Sequence, residues 1–117
     1  MEKKNIDWEN IGFGYIPTDK RFVANYKDGA WDEGGLTEDP NIVMNECAGV
    51  LQYAQTVFEG MKAYTTEDGH IVTFRPDLNA KRMVDSAKRL EMPPFPEDRF
   101  VDAIVQTVRA NEAYVPP

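Results

Sequence analysis

Hydrophobic and polar positions alternate in two parts of the chain, and each part surrounds a pair of turn-forming residues. Residues 21–31 alternate bulky and polar side chains around an Asp-Gly pair at 28–29, which predicts a hairpin because these residues tolerate positive φ. Residues 61–74 show the clearer alternation, around a second Asp-Gly pair at 68–69. A short strand is also predicted over residues 41–44. The first two thirds of the chain should therefore consist mainly of strands and loops.

The last third changes to a helical period. Residues 78–90 place Leu78, Met83, Ala87 and Leu90 on one helix face, and either Asp77 or Asn79 is available as the N-cap. Prolines at 93, 94 and 96 should end this helix, and a second helix is predicted from Glu97 with an apolar stripe. That stripe consists of Phe100, Val101, Ile104, Val105 and Val108. The predicted fold class is α+β, with an antiparallel sheet of hairpins packed by two helices.

The length of 117 residues fits a single domain spanning residues 1–117, and 42% hydrophobic residues are enough for a folded core. The net charge is −7, and residues 28–60 contain no Lys or Arg. An acidic chain is a poor partner for nucleic acid or for an anionic membrane, because both repel it. No apolar run reaches the ~20 residues that cross a bilayer. We therefore expect no binding to nucleic acid and no membrane association.

The chain has one cysteine, Cys47, and one histidine, His70. These numbers exclude a disulfide within the chain and the usual zinc sites, so no metal site is expected. They also fit a reducing, intracellular setting, and a cytoplasmic location is predicted. No self-contained set of nucleophile, base and orienting residue is visible.

Two cations at the start of the first predicted helix are the first candidates for chemistry. Lys81 and Arg82 lie within its first two turns, where the helix dipole disfavours positive charge unless an anion is bound. A helix N-terminus beside an arginine can receive a phosphate or a carboxylate. The alternative is that both side chains are solvated, or paired with Asp77 or Asp85.

A second candidate is the segment that ends in Gly60. Tyr53 and Phe58 precede this glycine, and they either form the wall of a pocket or belong to the core. Glu59 is either an acid-base group or a structural carboxylate that accepts hydrogen bonds. The residues alone leave both pairs of alternatives open.

At these positions the sequence resembles the branched-chain amino-acid aminotransferases, which are class IV pyridoxal-phosphate enzymes. The resemblance runs over most of the chain, from about Trp8 onward, and the segments that carry it are residues 51–64, 74–83, 86–87, 90–94 and 114–117. The resemblance implies the small N-terminal domain of the fold-type IV architecture, with the large catalytic domain absent. We therefore expect that this chain ends where a linker begins, at Pro116-Pro117.

The resemblance also implies roles for individual residues. Arg82 matches the arginine that binds the phosphate of pyridoxal phosphate, and Tyr53 and Phe58 match residues that line the substrate pocket. In the family the tyrosine reaches the active site of the other subunit of a homodimer. The implied reaction transfers an amino group between leucine, isoleucine or valine and 2-oxoglutarate, as part of branched-chain amino-acid biosynthesis.

The lysine that carries the cofactor in the family has no counterpart here. None of the chain's lysines falls at that position, and Lys62, which closely follows Gly60, is not expected to replace it. We therefore predict no catalytic residue in this chain, no activity in isolation and doubtful cofactor binding without the remainder of the enzyme. The surface left uncovered predicts self-association.

Two other functions remain open. D-amino-acid aminotransferases and aminodeoxychorismate lyase share the fold, although residues 59–62 and 75–79 resemble the branched-chain group more closely. A small dimerisation or interaction domain without cofactor is the other alternative. It would leave Arg82 solvated, and Tyr53 and Phe58 packed against their own chain.

Overall fold

The computed structural model describes residues 2–117 and contains three antiparallel strand pairs and two long helices. The strands are β1 (Arg21–Val23), β2 (Tyr26–Lys27), β3 (Ala30–Trp31), β4 (Gly35–Thr37), β5 (Ala63–Thr65) and β6 (Ile71–Thr73). The helices are α1 (Gly49–Tyr53), α2 (Pro76–Arg89) and α3 (Glu97–Ala110), with short 3₁₀ turns at Trp8–Asn10 and Glu112–Tyr114. The predicted α+β class is confirmed. No helix within residues 2–117 is long and apolar enough to cross a membrane.

The first predicted hairpin is present and continues into a second strand pair. β2 and β3 pair across Asp28 and Gly29, whose φ angles of 53° and 85° fit a two-residue turn of mirror-image type. Outside them, β1 pairs with β4 in the same antiparallel sense. Asn25 and Asp32 link the two pairs: the Asp32 amide donates to the Asn25 carbonyl at 2.9 Å, and the Asn25 amide donates to Asp32 Oδ1 at 3.0 Å.

The hairpin predicted around Asp68-Gly69 is formed by β5 and β6. Gly69 has a φ of 86°, a conformation that costs glycine little because it has no Cβ. The Thr66 amide donates to the His70 carbonyl at 2.7 Å and closes the loop. Ala63 and Thr65 are half-buried, whereas Tyr64 between them is exposed. One face of this hairpin therefore packs inward and the other remains open.

The strand predicted over residues 41–44 is wrong. Asp39 Oδ1 accepts hydrogen bonds from the Asn41 backbone amide and from its side-chain amide, both at 2.9 Å, and this turn redirects the chain. Among residues 2–117 no strand pairs with this segment, and residues 41–44 are all exposed, Val43 at 98%. Short apolar runs become strands only when a neighbouring strand pairs with them.

The N-cap predicted for the first helix is also wrong, although the helix itself is confirmed. α2 begins at Pro76, where the missing N–H matters least, and the preceding Arg75 is left-handed with a φ of 46°. Asp77 is turned to Arg75, whose Nε and Nη2 donate to its two carboxylate oxygens at 3.0 and 2.8 Å. Asn79 is buried and faces a different part of the chain.

The most buried residues of the two long helices are mainly alanines. Ala80 and Ala87 of α2 and Ala103 of α3 are buried, at 1%, 4% and 9% exposure. Leu78 and Leu90, which the sequence placed on the packed face, are 46% and 40% exposed. Among the described residues no large side chain is fully buried, so the core consists mainly of small groups.

The chain exposes far more surface than a free-standing domain of its size. Its accessible area is 9173 Å², whereas a monomeric protein of this mass exposes about 6,500 Å². Its radius of gyration is 15.8 Å, against about 13 Å for a compact chain of this length. Large apolar side chains contribute to the excess, among them Phe13, Tyr15, Val43, Tyr53, Phe58 and Phe74.

Candidate functional site

The segment that follows α1 is fastened to the start of α2. After Tyr53, the chain turns at Ala54 in a left-handed conformation and runs without regular structure to β5. Asn79 Nδ2 donates to Glu59 Oε1 at 2.7 Å and to the Gly60 carbonyl at 3.0 Å. One buried amide therefore fixes both the carboxylate and the backbone of this segment.

Arg82 completes the cluster from the next turn of the same helix. Its Nε donates to Glu59 Oε2 at 3.1 Å, and its Nη2 donates to Glu59 Oε1. Residues three apart on a helix share a face, which is why Asn79 and Arg82 reach the same carboxylate. The Glu59 side chain is 7% exposed, whereas that of Arg82 is 65% exposed. The pair therefore has a buried anion and a cation that faces solvent.

These contacts lower the pKa of Glu59 below its ordinary value of 4.5. The hydrogen bond from Arg82 is the largest cause, burial of the carboxyl works against it, and the hydrogen bond from Asn79 adds to the lowering. Glu59 is therefore ionised at neutral pH. A carboxylate held in this state by two donors is suited to orienting its partners rather than to exchanging protons near pH 7.

An open cleft lies beside this cluster, on the exposed face of the β5–β6 hairpin. Its volume is about 560 Å³, and it is lined by Phe58, Gly60, Met61, Lys62, Tyr64, Phe74 and Asn79. The Phe58 ring lies 3.3 Å from the position that a Cβ on Gly60 would occupy, so the glycine makes room for the ring. The lining is mainly aromatic and aliphatic, which suits an apolar side chain.

The residues predicted from the sequence are brought together only in part. Phe58 lines the cleft and is 91% exposed, and Arg82 lies one helical turn from Asn79. Tyr53 is 87% exposed at the end of α1 and is not among the residues that line the cleft. Neither aromatic side chain is part of the core, which was the alternative. Their functional roles stay predictions.

The structure shows which ion pairs Lys81 and Arg82 form. Lys81 lies 3.6 Å from Asp85, one turn along the helix, as the alternative to anion binding required. Arg82 binds neither Asp77 nor Asp85 and instead reaches Glu59, 23 residues away in sequence. The sequence indicates Glu59 and Asn79 as individual candidates, but nothing in it links them to Arg82. A contact at such a distance leaves no local pattern, so one sequence carries no signal for it.

The lowered pKa predicts how stability depends on pH. Stability contributed by Glu59 is complete above its unfolded pKa near 4.5, and it is lost as pH falls through the lower pKa of the folded state. We expect Glu59→Gln to unfold at a lower temperature than the original chain at pH 7. The gap in melting temperature should narrow below pH 4.5. Thermal unfolding followed by circular dichroism between pH 7 and pH 3 measures it.

Glu67→Gln is the matched control for this experiment. Glu67 is exposed, and its side chain makes no hydrogen bond or ion pair within the described part of the chain. The melting temperature of Glu67→Gln should equal that of the original chain at every pH. A gap for Glu59→Gln that stays constant down to pH 3 would contradict the lowered pKa.

Comparison with known proteins identifies a group of enzymes. No family model matches the chain. The chain is similar to branched-chain-amino-acid aminotransferases from Haemophilus influenzae and Helicobacter pylori, with 49% and 43% identity over 114 residues, or 97% of the chain. A methionine aminotransferase from Arabidopsis thaliana is 44% identical, also over 97% of the chain.

The similarity is confined to a part of each relative. The chain spans 33% of the Haemophilus influenzae enzyme, 34% of the Helicobacter pylori enzyme and 32% of the Arabidopsis thaliana enzyme. These matches confirm the resemblance inferred from the sequence: along almost its whole length, this chain is similar to the N-terminal part of branched-chain-amino-acid aminotransferases.

Proposed function

We propose that this chain is the small N-terminal domain of an enzyme that transfers the amino group between leucine, isoleucine or valine and 2-oxoglutarate. The similarity to two branched-chain-amino-acid aminotransferases over 97% of the chain supports the family. One structural observation carries the site: Arg82 is held by a buried carboxylate beside an apolar cleft and keeps its outer side exposed. That arrangement provides an anion anchor next to an apolar wall.

The proposed cofactor is pyridoxal phosphate, and Arg82 is the proposed anchor of its phosphate. The guanidinium has five N–H donors, and two of them contact Glu59. The other three are left for a phosphate, whose oxygens suit paired donors. When bound, this cofactor supplies an electron sink at the carbon that loses its proton. Arg82 would hold the distant, phosphate end of the molecule and so aim the reacting end.

The proposed substrate wall consists of Tyr53 and Phe58. Both rings are exposed in this chain, so neither is needed to fill its core. Burial of each methylene of a branched side chain against such a wall contributes roughly 1 kcal/mol. The Tyr53 hydroxyl is the proposed contact for the second carboxylate of glutamate and 2-oxoglutarate. The resemblance implies that this tyrosine reaches the site of the other subunit, so we propose that each wall combines Phe58 of one subunit with Tyr53 of the partner subunit. The absence of Tyr53 from the residues that line the cleft of its own chain supports this arrangement.

The large exposed surface supports the proposal that further protein covers it. The excess over a compact protein is roughly 2,700 Å², about three times what each partner buries in a standard interface. We assign this surface to a large catalytic domain in a longer protein and to a second subunit. Such a surface also favours self-association of the chain alone. The single cysteine supports a reducing compartment, and the cytoplasm is the proposed location.

Methionine is a second candidate for the amino donor. The methionine aminotransferase of Arabidopsis thaliana is as similar to this chain, at 44% identity, as several branched-chain enzymes are, at 43% to 44%. Methionine is unbranched and apolar, so an aromatic wall accepts it on the same physical grounds. Leucine, isoleucine, valine and methionine should therefore be compared side by side as amino donors.

The proposal is tested by amino transfer from these four donors to 2-oxoglutarate. We expect turnover by the full-length protein and none by residues 1–117 alone. Borohydride reduction in the presence of pyridoxal phosphate should mark no single specific lysine in the short chain, as read by mass spectrometry. Turnover by the short chain, or one uniquely labelled lysine, would contradict its assignment as an incomplete domain. Full-length protein without turnover of any donor would contradict the proposed function itself.

A further inference from the structure

We infer that Glu59 is a positioning residue, which fixes the guanidinium of Arg82 so that its free edge meets the phosphate of the cofactor. The inference rests on the function proposed above. It concerns a residue that touches neither substrate nor cofactor and acts through Arg82.

The orientation of the guanidinium follows from the atoms that contact Glu59. Nε and Nη2 of Arg82 donate to the two oxygens of one carboxylate, which fixes the plane of the group as well as its position. Nη1 and the second hydrogen of Nη2 then point away from Glu59. This outer edge is again a pair of parallel donors, which matches two oxygens of a phosphate.

Glu59 can act in this way because it is itself immobilised. Its side chain is 7% exposed, and Asn79 Nδ2 donates to Oε1 at 2.7 Å. The same Asn79 amide donates to the Gly60 carbonyl at 3.0 Å. Arg82 is thus connected through one carboxylate to a buried amide and to the backbone of the neighbouring segment. Its rotamer freedom is reduced before any ligand arrives, which removes part of the entropy cost of binding.

If Glu59 acted on phosphate binding through its charge alone, removing it would have the opposite effect to the one that a positioning role predicts. The Glu59 carboxylate cancels the positive charge of Arg82 and repels a phosphate placed beyond it. If charge dominated, removing the carboxylate would strengthen binding. If orientation dominates, any change that breaks the two-point contact weakens binding, even when the negative charge is kept. Glu59→Asp keeps the charge and shortens the side chain by one methylene, so it separates the two effects.

The first measurement uses the chain without substitution. Rotation of arginine guanidinium groups is measured by ¹⁵N nuclear magnetic resonance, through exchange between the Nη signals. We expect rotation in Arg82 to be at least tenfold slower than in Arg89, which lies on the same helix and makes no side-chain hydrogen bond or ion pair among residues 2–117. Equal rates for the two residues would overturn the inference without any variant.

The second measurement compares affinities in the full-length protein. Pyridoxal phosphate and phosphate-free pyridoxal are titrated into the original protein, Glu59→Asp, Glu59→Gln and Arg82→Ala. We expect both Glu59 variants to bind pyridoxal phosphate about tenfold more weakly, with pyridoxal affinity unchanged. A purely structural role of Glu59 would change the affinities for both ligands alike.

The outcomes separate the inference from the proposed function. If Arg82→Ala weakens pyridoxal-phosphate binding and Glu59→Asp does not, the phosphate anchor stands and the positioning role is overturned. If Glu59→Gln binds more tightly, the charge effect dominates and the positioning role is again overturned. If Arg82→Ala binds as the original protein does, the proposed phosphate anchor is wrong, whatever the rotation of Arg82 shows.

Discussion

Replacing Arg82 with alanine in the full-length protein is expected to weaken pyridoxal-phosphate binding about a hundredfold. The loss corresponds to two charge-assisted hydrogen bonds to a phosphate, which are stronger than hydrogen bonds between neutral groups. The substitution also leaves the carboxylate of Glu59, at 7% exposure, without its cation. A buried negative charge then repels the phosphate and adds to the loss. Titration of the apo protein, followed by cofactor absorbance, measures the change.

The control for this result is Arg89→Ala. Arg89 is the last residue of α2, and its removal takes one positive charge from the same helix without touching Glu59. We expect its cofactor affinity to stay within about twofold of the original protein, because exposed charges are screened by salt. Equal losses in the two variants would show that net charge, rather than the position of Arg82, determines the affinity.

Replacing Asn111 with alanine is expected to lower the stability of the chain by about 3 kcal/mol. Asn111 is 8% exposed, and its Oδ1 accepts hydrogen bonds from the backbone amides of Asp19 and Lys20 at 2.9 and 3.0 Å. Its Nδ2 donates to the carbonyls of Lys20 and Thr107 at 2.7 and 2.9 Å. Alanine leaves the backbone amides of Asp19 and Lys20 and the Lys20 carbonyl without these partners. The Thr107 carbonyl keeps the hydrogen bond that the backbone amide of residue 111 donates at 3.1 Å. The melting temperature should fall by roughly 12 °C.

Asn10→Ala is the matched control for Asn111. Asn10 is exposed, and its side-chain amide makes a single hydrogen bond, to Asp7 Oδ2 at 2.8 Å. We expect its loss to change stability by no more than about 0.5 kcal/mol. Asn111→Asp adds a finer test, because it keeps the acceptor for the two amides and removes both donors, so it should lie between the original chain and Asn111→Ala. Unfolding by urea at pH 7 measures all three variants, and equal losses for Asn10 and Asn111 would contradict the bridging role.

Local chemistry explains which elements the sequence predicted. The two Asp-Gly pairs supply positive φ, and the observed values of 53° and 85° at Asp28 and Gly29 confirm the first turn. Pro93, Pro94 and Pro96 separate the two helices as expected. In each case the deciding information lies within a few residues of the element that it determines.

Contacts between distant parts of the chain explain what the sequence did not predict. The segment around Val43 has strand-forming residues and no strand beside it. The position of Asn79 predicts a helix cap, but its side-chain amide contacts Glu59, 20 residues earlier. The phosphate-binding role proposed for Arg82 followed from its place on a helix and from the resemblance. The contact between Arg82 and Glu59 could be identified only from the folded chain.

The contacts that Lys3 and Lys4 make near the C-terminal end of the chain bear on the order in which the chain folds. The Lys4 amide donates to the Ala113 carbonyl at 2.8 Å, and Lys3 Nζ donates to the Glu112 carbonyl at 3.1 Å. These contacts close a loop that contains both hairpins and both long helices. Local hairpins and helices form in microseconds, whereas contacts between distant residues must wait for the chain between them to order. The N-terminal segment around Lys3 and Lys4 should therefore dock last, onto hairpins and helices that have already formed.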